Sequence, residues 1–236
     1  MRIKSAVFGI LLLVFSESCF GAENAKLNMA DSLFQSQKYT EAYAIYKEIM
    51  EHGEVSSAML LRMAFIQDAS DNYAEALYYL DLYYRTSADR QTVGKIEEIA
   101  TEYELIGYQY NDTHYFLALF EKFKLQLITL LLSIALLQFA YVYVKARKNE
   151  KAYVASVFQV LTVILILIAI NAGSSQNGII TNDQTLLRSG PSAGAEPIEI
   201  VQKGHKVIIL DQSDVWAKIL WNGDEVFIRN NRLKLI

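Results

Sequence analysis

LQLITLLLSIALLQFAYVYV (residues 125–144) and AYVASVFQVLTVILILIAINA (152–172) are apolar runs without one charged side chain, joined by KARKNEK (145–151). Each run is long enough to cross a ~30 Å hydrocarbon core as a helix. The link carries Lys145, Arg147, Lys148 and Lys151 against Glu150. Positive loops stay on the cytoplasmic side. The pair therefore predicts a transmembrane hairpin with a cytoplasmic loop at 145–151, placing residues 22–124 and 173–236 together on the opposite face. Core helices of a soluble protein would carry a polar stripe at this length, and neither run has one.

The start of the chain agrees. Arg2 and Lys4 precede the apolar stretch Ala6–Phe15 and the more polar Ser16–Ala22. That is the layout of a secretory signal over residues 1–21, with cleavage after Gly21 or after Ser18. Ser16-Glu17-Ser18 lacks the aliphatic residue that usually precedes a lipidated cysteine, which argues against Cys19 as such a site. With Cys19 removed, no thiol remains for a disulfide or a thiolate metal site.

Charge divides the rest. Residues 22–120 hold sixteen acidic and seven basic side chains, whereas residues 173–236 hold seven of each. An acidic exported segment repels phosphate backbones, so nucleic acid is excluded as a partner. His52, His114 and His205 are scattered without ligand spacing, and no Walker loop, nucleophile elbow or HExxH pair occurs. These residues predict a non-enzyme with no metal and no cofactor. The few intramembrane polar groups, Gln138 and Gln159 among them, suit helix pairing better than a conduction path.

Within 22–124 the sequence repeats. Lys38-Tyr39-Thr-Glu41-Ala42 returns as Asn72-Tyr73-Ala-Glu75-Ala76, and Met29-Ala30 as Met63-Ala64, at an offset of thirty-four residues. Small alanines at Ala30, Ala42, Ala64 and Ala76 suit the close approach of paired helices, while Tyr39 and Tyr73 fill the turn and Tyr46 and Leu80 add bulk one turn further on. The period and the Tyr-x-Glu-Ala start resemble the tetratricopeptide repeat, without its usual tryptophan and inter-repeat proline. Apolar positions from Val93 to Ile106 predict a helix over Gln91–Tyr108. Asn111-Asp112-Thr113 predicts a cap for a helix that meets no breaker before the membrane, the second half of an incomplete third repeat.

The resemblance implies a solenoid whose concave face is built from first helices. Its partner groove is expected at Asp31, Phe34, Gln35, Leu61, Phe65, Asp68, Lys95, Glu102 and Tyr103. The alternative for each aromatic or aliphatic residue in this set is helix packing.

The last segment changes period. Lys206–Leu210, Val215–Leu220 and Glu225–Arg229 read as short strands between Gly190, Gly194, Gly204 and Gly223. Arg188-Ser-Gly190-Pro191-Ser192, Lys203-Gly204, Val215-Trp216-Ala-Lys-Ile219 and Trp221-Asn-Gly223 resemble the bacterial SH3-like (SH3b) barrel. That likeness implies a ligand surface at Arg188, Pro191, Trp216 and Trp221, although Val226 and Phe227 stand where the family usually has a tryptophan. Trp216 is equally readable as a packed strand residue.

The expected fold class is thus multidomain: an all-α tetratricopeptide-like solenoid, a two-helix transmembrane hairpin and a small all-β SH3-like barrel. In that order the parts resemble the E-type arrangement of the Bat (Bacteroides aerotolerance) family. The resemblance implies a bacterial inner-membrane protein with both soluble domains periplasmic. It also implies partners among von Willebrand A-domain membrane proteins and a MoxR-type ATPase complex. Two function classes follow: a scaffold gripping a partner through the solenoid, and a sensor reading peptidoglycan or another periplasmic ligand through the barrel.

Overall fold

The computed structural model describes residues 20–148, 153–172 and 176–236. The signal segment up to residue 19 and loop residues 149–151 lie outside the described residues. Seven described helices come first: α1 Phe20–Gln35, α2 Tyr39–Glu51, α3 Ser57–Asp68, α4 Tyr73–Ser87, α5 Arg90–Glu102, α6 Asp112–Arg147 and α7 Tyr153–Asn171. Seven strands follow: β1 Asn177–Ile180, β2 Thr185–Arg188, β3 Pro197–Val201, β4 Lys206–Gln212, β5 Trp216–Trp221, β6 Asp224–Arg229 and β7 Leu233–Leu235. The chain forms two compact units, one up to Tyr79 and the other Leu80–Ile236.

In the first unit the helices follow the thirty-four-residue repeat. Helices α2 and α4 start at the equivalent residues Tyr39 and Tyr73, and Ala30, Ala42, Ala64 and Ala76 are all buried. A side chain larger than methyl at these positions would hold the helices apart. The turns repeat as well. Gln37 (φ 60°) and Asp71 (φ 56°) both adopt the left-handed conformation. Lys38 N donates to Leu33 O and Asn72 N to Gln67 O, each at 2.9 Å. This is the six-to-one bond that closes a helix C-terminus, made here without glycine.

The second unit begins within α4. Helix α5 is capped by the Asp89 side chain, which accepts from Gln91 N at 3.0 Å, and buries Thr92, Ile96, Ile99 and Ala100. It ends at Glu102, not Tyr108. Glu104 (φ 53°) closes the helix as Leu105 N donates to Ala100 O at 2.7 Å, so Ile106–Tyr110 leave the predicted stripe. Asn111 then caps α6 through a reciprocal box with His114. Thirty-six residues run from there without a break, as the lack of any breaker predicts.

One described helix, α6, is long and apolar enough to cross a membrane, by length and composition. The apolar stretch Ala155–Asn171 of α7 is shorter. The two helices pack together, and Lys124 Nζ donates to Ala172 O at 2.8 Å, which sets them antiparallel. Along α6 the half-buried positions Lys124, Ile128, Leu131, Ala135, Gln138, Val142 and Lys145 alternate by four and three, the 3.5-residue seam of paired helices. Thr162, Ile166 and Ala169 form the buried stripe of α7.

The strands make one antiparallel sheet in the order β3-β2-β6-β5-β4-β1-β7. Strict alternation along β5 sends Ala217, Ile219 and Trp221 inward, where they meet Ile180, Leu187, Val207, Val226 and Ile228 in one core. Three strand positions read from the sequence, in β4, β5 and β6, fall within one or two residues of the observed bounds. The short β1, β2, β3 and β7 carry too few alternating residues to show as strands beforehand.

Candidate functional site

The outer face of the sheet follows from register. Trp216 pairs with Arg229, and Lys218 with Phe227, which also pairs with Arg188. Because paired residues share a face, these side chains form a cationic and aromatic patch across β2, β6 and β5. The Arg229 guanidinium lies 5.5 Å from the Trp216 ring centre, and Lys218 is ion-paired with Glu225. Arg188 Nη1 donates to Ala195 O at 2.7 Å, which holds the loop that carries the exposed Pro191.

Of the four barrel residues expected to bind ligand, Arg188 and Trp216 share this patch. Trp221 does not. It is 6% exposed in the barrel core, its Nε1 donates to Glu199 Oε2 at 2.7 Å, and His205 packs edge-on against its ring. The correction follows from strand parity: position 221 has the inward phase of 217 and 219. Phe227, by contrast, has the outward phase, a role that its sequence position alone did not reveal.

Further along the same face, Ile179 pairs with Lys206 and is fully buried without belonging to the barrel core. Here the loop between α5 and α6 is docked on the sheet. Lys206 N donates to Ile106 O at 3.1 Å, Ile106 N to His205 Nδ1 at 3.2 Å, and Tyr108 Oη to Gly204 O at 2.6 Å. Gly107 (φ +93°) lies so close that a Cβ would sit 2.0 Å from Lys206 O. Lys206 Nζ reaches Asp81 Oδ1 at 2.7 Å, and Tyr110 Oη donates to the same carboxylate oxygen. Burial first, and then the Asp81 charge, push both the Tyr108 and Tyr110 hydroxyls well above the usual phenol range. Burial lowers the His205 pKa, with Glu199 opposing. A neutral ring keeps Nδ1 free to accept from Ile106.

Beside this contact a cavity of about 350 Å3 opens among Gln109, His114, Asn177, Ile208, Leu220 and Asn222, with Lys206 and Trp221 also in its wall. Asn177, Ile208 and Leu220 are register neighbours on the outer face of β1, β4 and β5.

In the first unit, the groove positions divide. Phe34, Tyr39 and Phe65 form a triangle of edge-on rings 5.3 to 5.7 Å apart, with Phe65 51% and Leu61 45% exposed. Asp31 serves the fold instead: it accepts from Tyr46 Oη at 2.7 Å and is ion-paired with Arg62. Gln35 is exposed and Asp68 half-buried. Lys95, Glu102 and Tyr103 fall in the second unit, with Lys95 3.5 Å from Glu98.

A small antiparallel barrel with a Gly-Pro-Ser loop, a Lys-Gly turn and an Asn-Gly hairpin between β5 and β6 defines a bacterial SH3-type module. Residues 184–234 match the family model described as Bacterial SH3 domain. No curated protein and no solved structure matches the chain.

Proposed function

We propose that this chain is a non-enzymatic, membrane-anchored envelope protein whose SH3 barrel binds peptidoglycan on the periplasmic side. The match of residues 184–234 to bacterial SH3 domains carries the reading. The patch of Arg188, Lys218, Trp216, Phe227 and Arg229 supports it, since cations and aromatic faces suit an anionic, partly apolar stem peptide.

Both apolar helices cross the membrane in this reading. Collars of aromatic and basic residues bound the α6 run. Lys124 lies 6.0 Å from the Phe120 ring and Lys122 5.5 Å from Phe123 at one end, while Lys145 and Arg147 flank Tyr141 and Tyr143 at the other. Such rings and cations favour the headgroup level. Its partner α7 returns the chain, and local thinning of the bilayer with snorkelling of flanking residues accommodates the shorter span.

The test is co-sedimentation of the detergent-solubilised full chain with purified sacculi. Trp216→Ala and Arg188→Ala are expected to lower binding at least tenfold; unchanged binding, or none in the wild type, overturns the reading.

A second role rests on the exposed Leu61 and Phe65 beside Phe34. Tetratricopeptide-like helix pairs in the first unit offer these to a protein partner, in a scaffold of the Bat type with von Willebrand A-domain membrane proteins and a MoxR-type ATPase complex. Cross-linking in membranes with a Phe34→Ala/Phe65→Ala variant is expected to lose the partner. Retention of every cross-link removes the role.

A further inference from the structure

We propose that the cavity between the outer sheet face and the 106–114 segment binds an N-acetylated, uncharged saccharide. The inference rests on the wall-binding reading and locates a second subsite for it, away from the Trp216 patch.

The lining decides the ligand class. Its volume of about 350 Å3 falls among ligand sites, which run ~300–1,000 Å3. Among the lining residues there is no carboxylate, and the ammonium of Lys206 is already paired with Asp81. A charged stem peptide finds no counter-ion here, and burying an unpaired charge is costly. An uncharged ligand meets no such penalty.

What the cavity does offer is amide chemistry. Gln109, Asn177 and Asn222 each present a donor and an acceptor, with Ile208 and Leu220 as an apolar wall beside them. Acetamido groups match both features, amide to amide and methyl to the apolar wall, while ring hydroxyls use the remaining donors and acceptors. The site is also held in shape. The docked segment is fixed by the bonds of Ile106 and Tyr108 to the barrel, and the Asn111 cap locks His114 at the rim.

Position adds one constraint. Along α6, His114 stands ten residues before Lys124, about 15 Å at 1.5 Å per residue. A saccharide carried on a lipid headgroup and a glycan strand of the wall share this chemistry, and the experiment separates them.

Chitotetraose is titrated into the full chain in detergent micelles by calorimetry, with the wild type compared with Gln109→Ala and Asn177→Leu. Gln109 is exposed, so its substitution leaves folding intact. Saturable binding is expected, weakened at least tenfold in either variant and unaffected by Trp216→Ala. Sacculus binding without chitotetraose binding leaves the wall reading standing and overturns the saccharide subsite. Chitotetraose binding without sacculus binding supports the subsite and assigns it to lipid-linked sugar. Binding that survives both cavity variants, or is lost equally in Trp216→Ala, overturns it.

Discussion

Lys206 and Asp81 are 125 positions apart, yet Nζ lies 2.7 Å from Oδ1, with the carboxylate side chain 2% exposed and the lysine 11%. The pair ties α4 to the first residue of β4, and Tyr110 Oη donates to the same carboxylate oxygen. Breaking a buried pair from one side strands the other charge. Asp81→Asn or Lys206→Met is therefore expected to destabilise the second unit by about 3–5 kcal/mol. The double change Asp81→Asn/Lys206→Met, which removes both charges together, recovers a large part of it. Thermal unfolding of the four proteins in detergent checks the cycle.

Two glycines with positive φ give expectations of different size. At Gly53 (φ +87°) nothing lies within 4 Å of a Cβ, and Gly53→Ala is expected to cost about 1 kcal/mol, the price of a left-handed L-residue. At Gly107 the same change drives the Cβ into Lys206 O. The segment must then leave the barrel, with a loss several times larger. Amide exchange at Lys206 and Ile106 reports it directly.

Acid acts on the same contact through His205. Its pKa is lowered in the fold by burial, so the folded state keeps the ring neutral at pH values where the unfolded chain binds a proton. Its contribution is present above the unfolded value of about 6.5 and falls as the pH drops through the depressed folded value. Protonation also removes the acceptor for Ile106 N. Amide exchange at Ile106 is expected to accelerate in that window, and His205→Gln to flatten the profile.

Alkali acts through phenols. Tyr108 and Tyr110 ionise on unfolding from about pH 10 but are held protonated in the fold. Their contribution is complete below that value and is lost as the pH rises through the raised folded values. Stability of the second unit is expected to decline above about pH 10, less steeply in Tyr110→Phe.

In the first unit, Ala42→Leu overfills a fully buried helix contact and is expected to cost about 1–3 kcal/mol. Ala44→Leu, exposed on the same helix, is expected to stay within about 0.5 kcal/mol. Denaturant unfolding monitored by circular dichroism distinguishes them.

Much of this was legible in the residues. The thirty-four-residue offset placed Tyr39 and Tyr73 at helix starts because helix pairing needs alanine and a turn-filling ring at fixed spacing. Asn111 announced its helix because capping is local chemistry, and the strand alternation from Val215 to Leu220 announced β5. Ile106 misled because its spacing continues the α5 stripe, while Glu104 turns the backbone into the left-handed region just before it. Trp221 misled because a tryptophan beside a hairpin can face either way, and only pairing parity chooses.

By itself, then, the sequence determined what depends on near neighbours: helix periodicity, caps, apolar runs and the barrel's turn residues. Tertiary structure alone decided which groups from distant positions share a surface. The Asp81–Lys206 pair, the docking of Ile106–Tyr110 and the amide-lined cavity arise between segments about a hundred residues apart. No local spacing encodes such contacts; Lys206, Ile106 and Tyr108 find their partners only where the loop between α5 and α6 lies against the sheet.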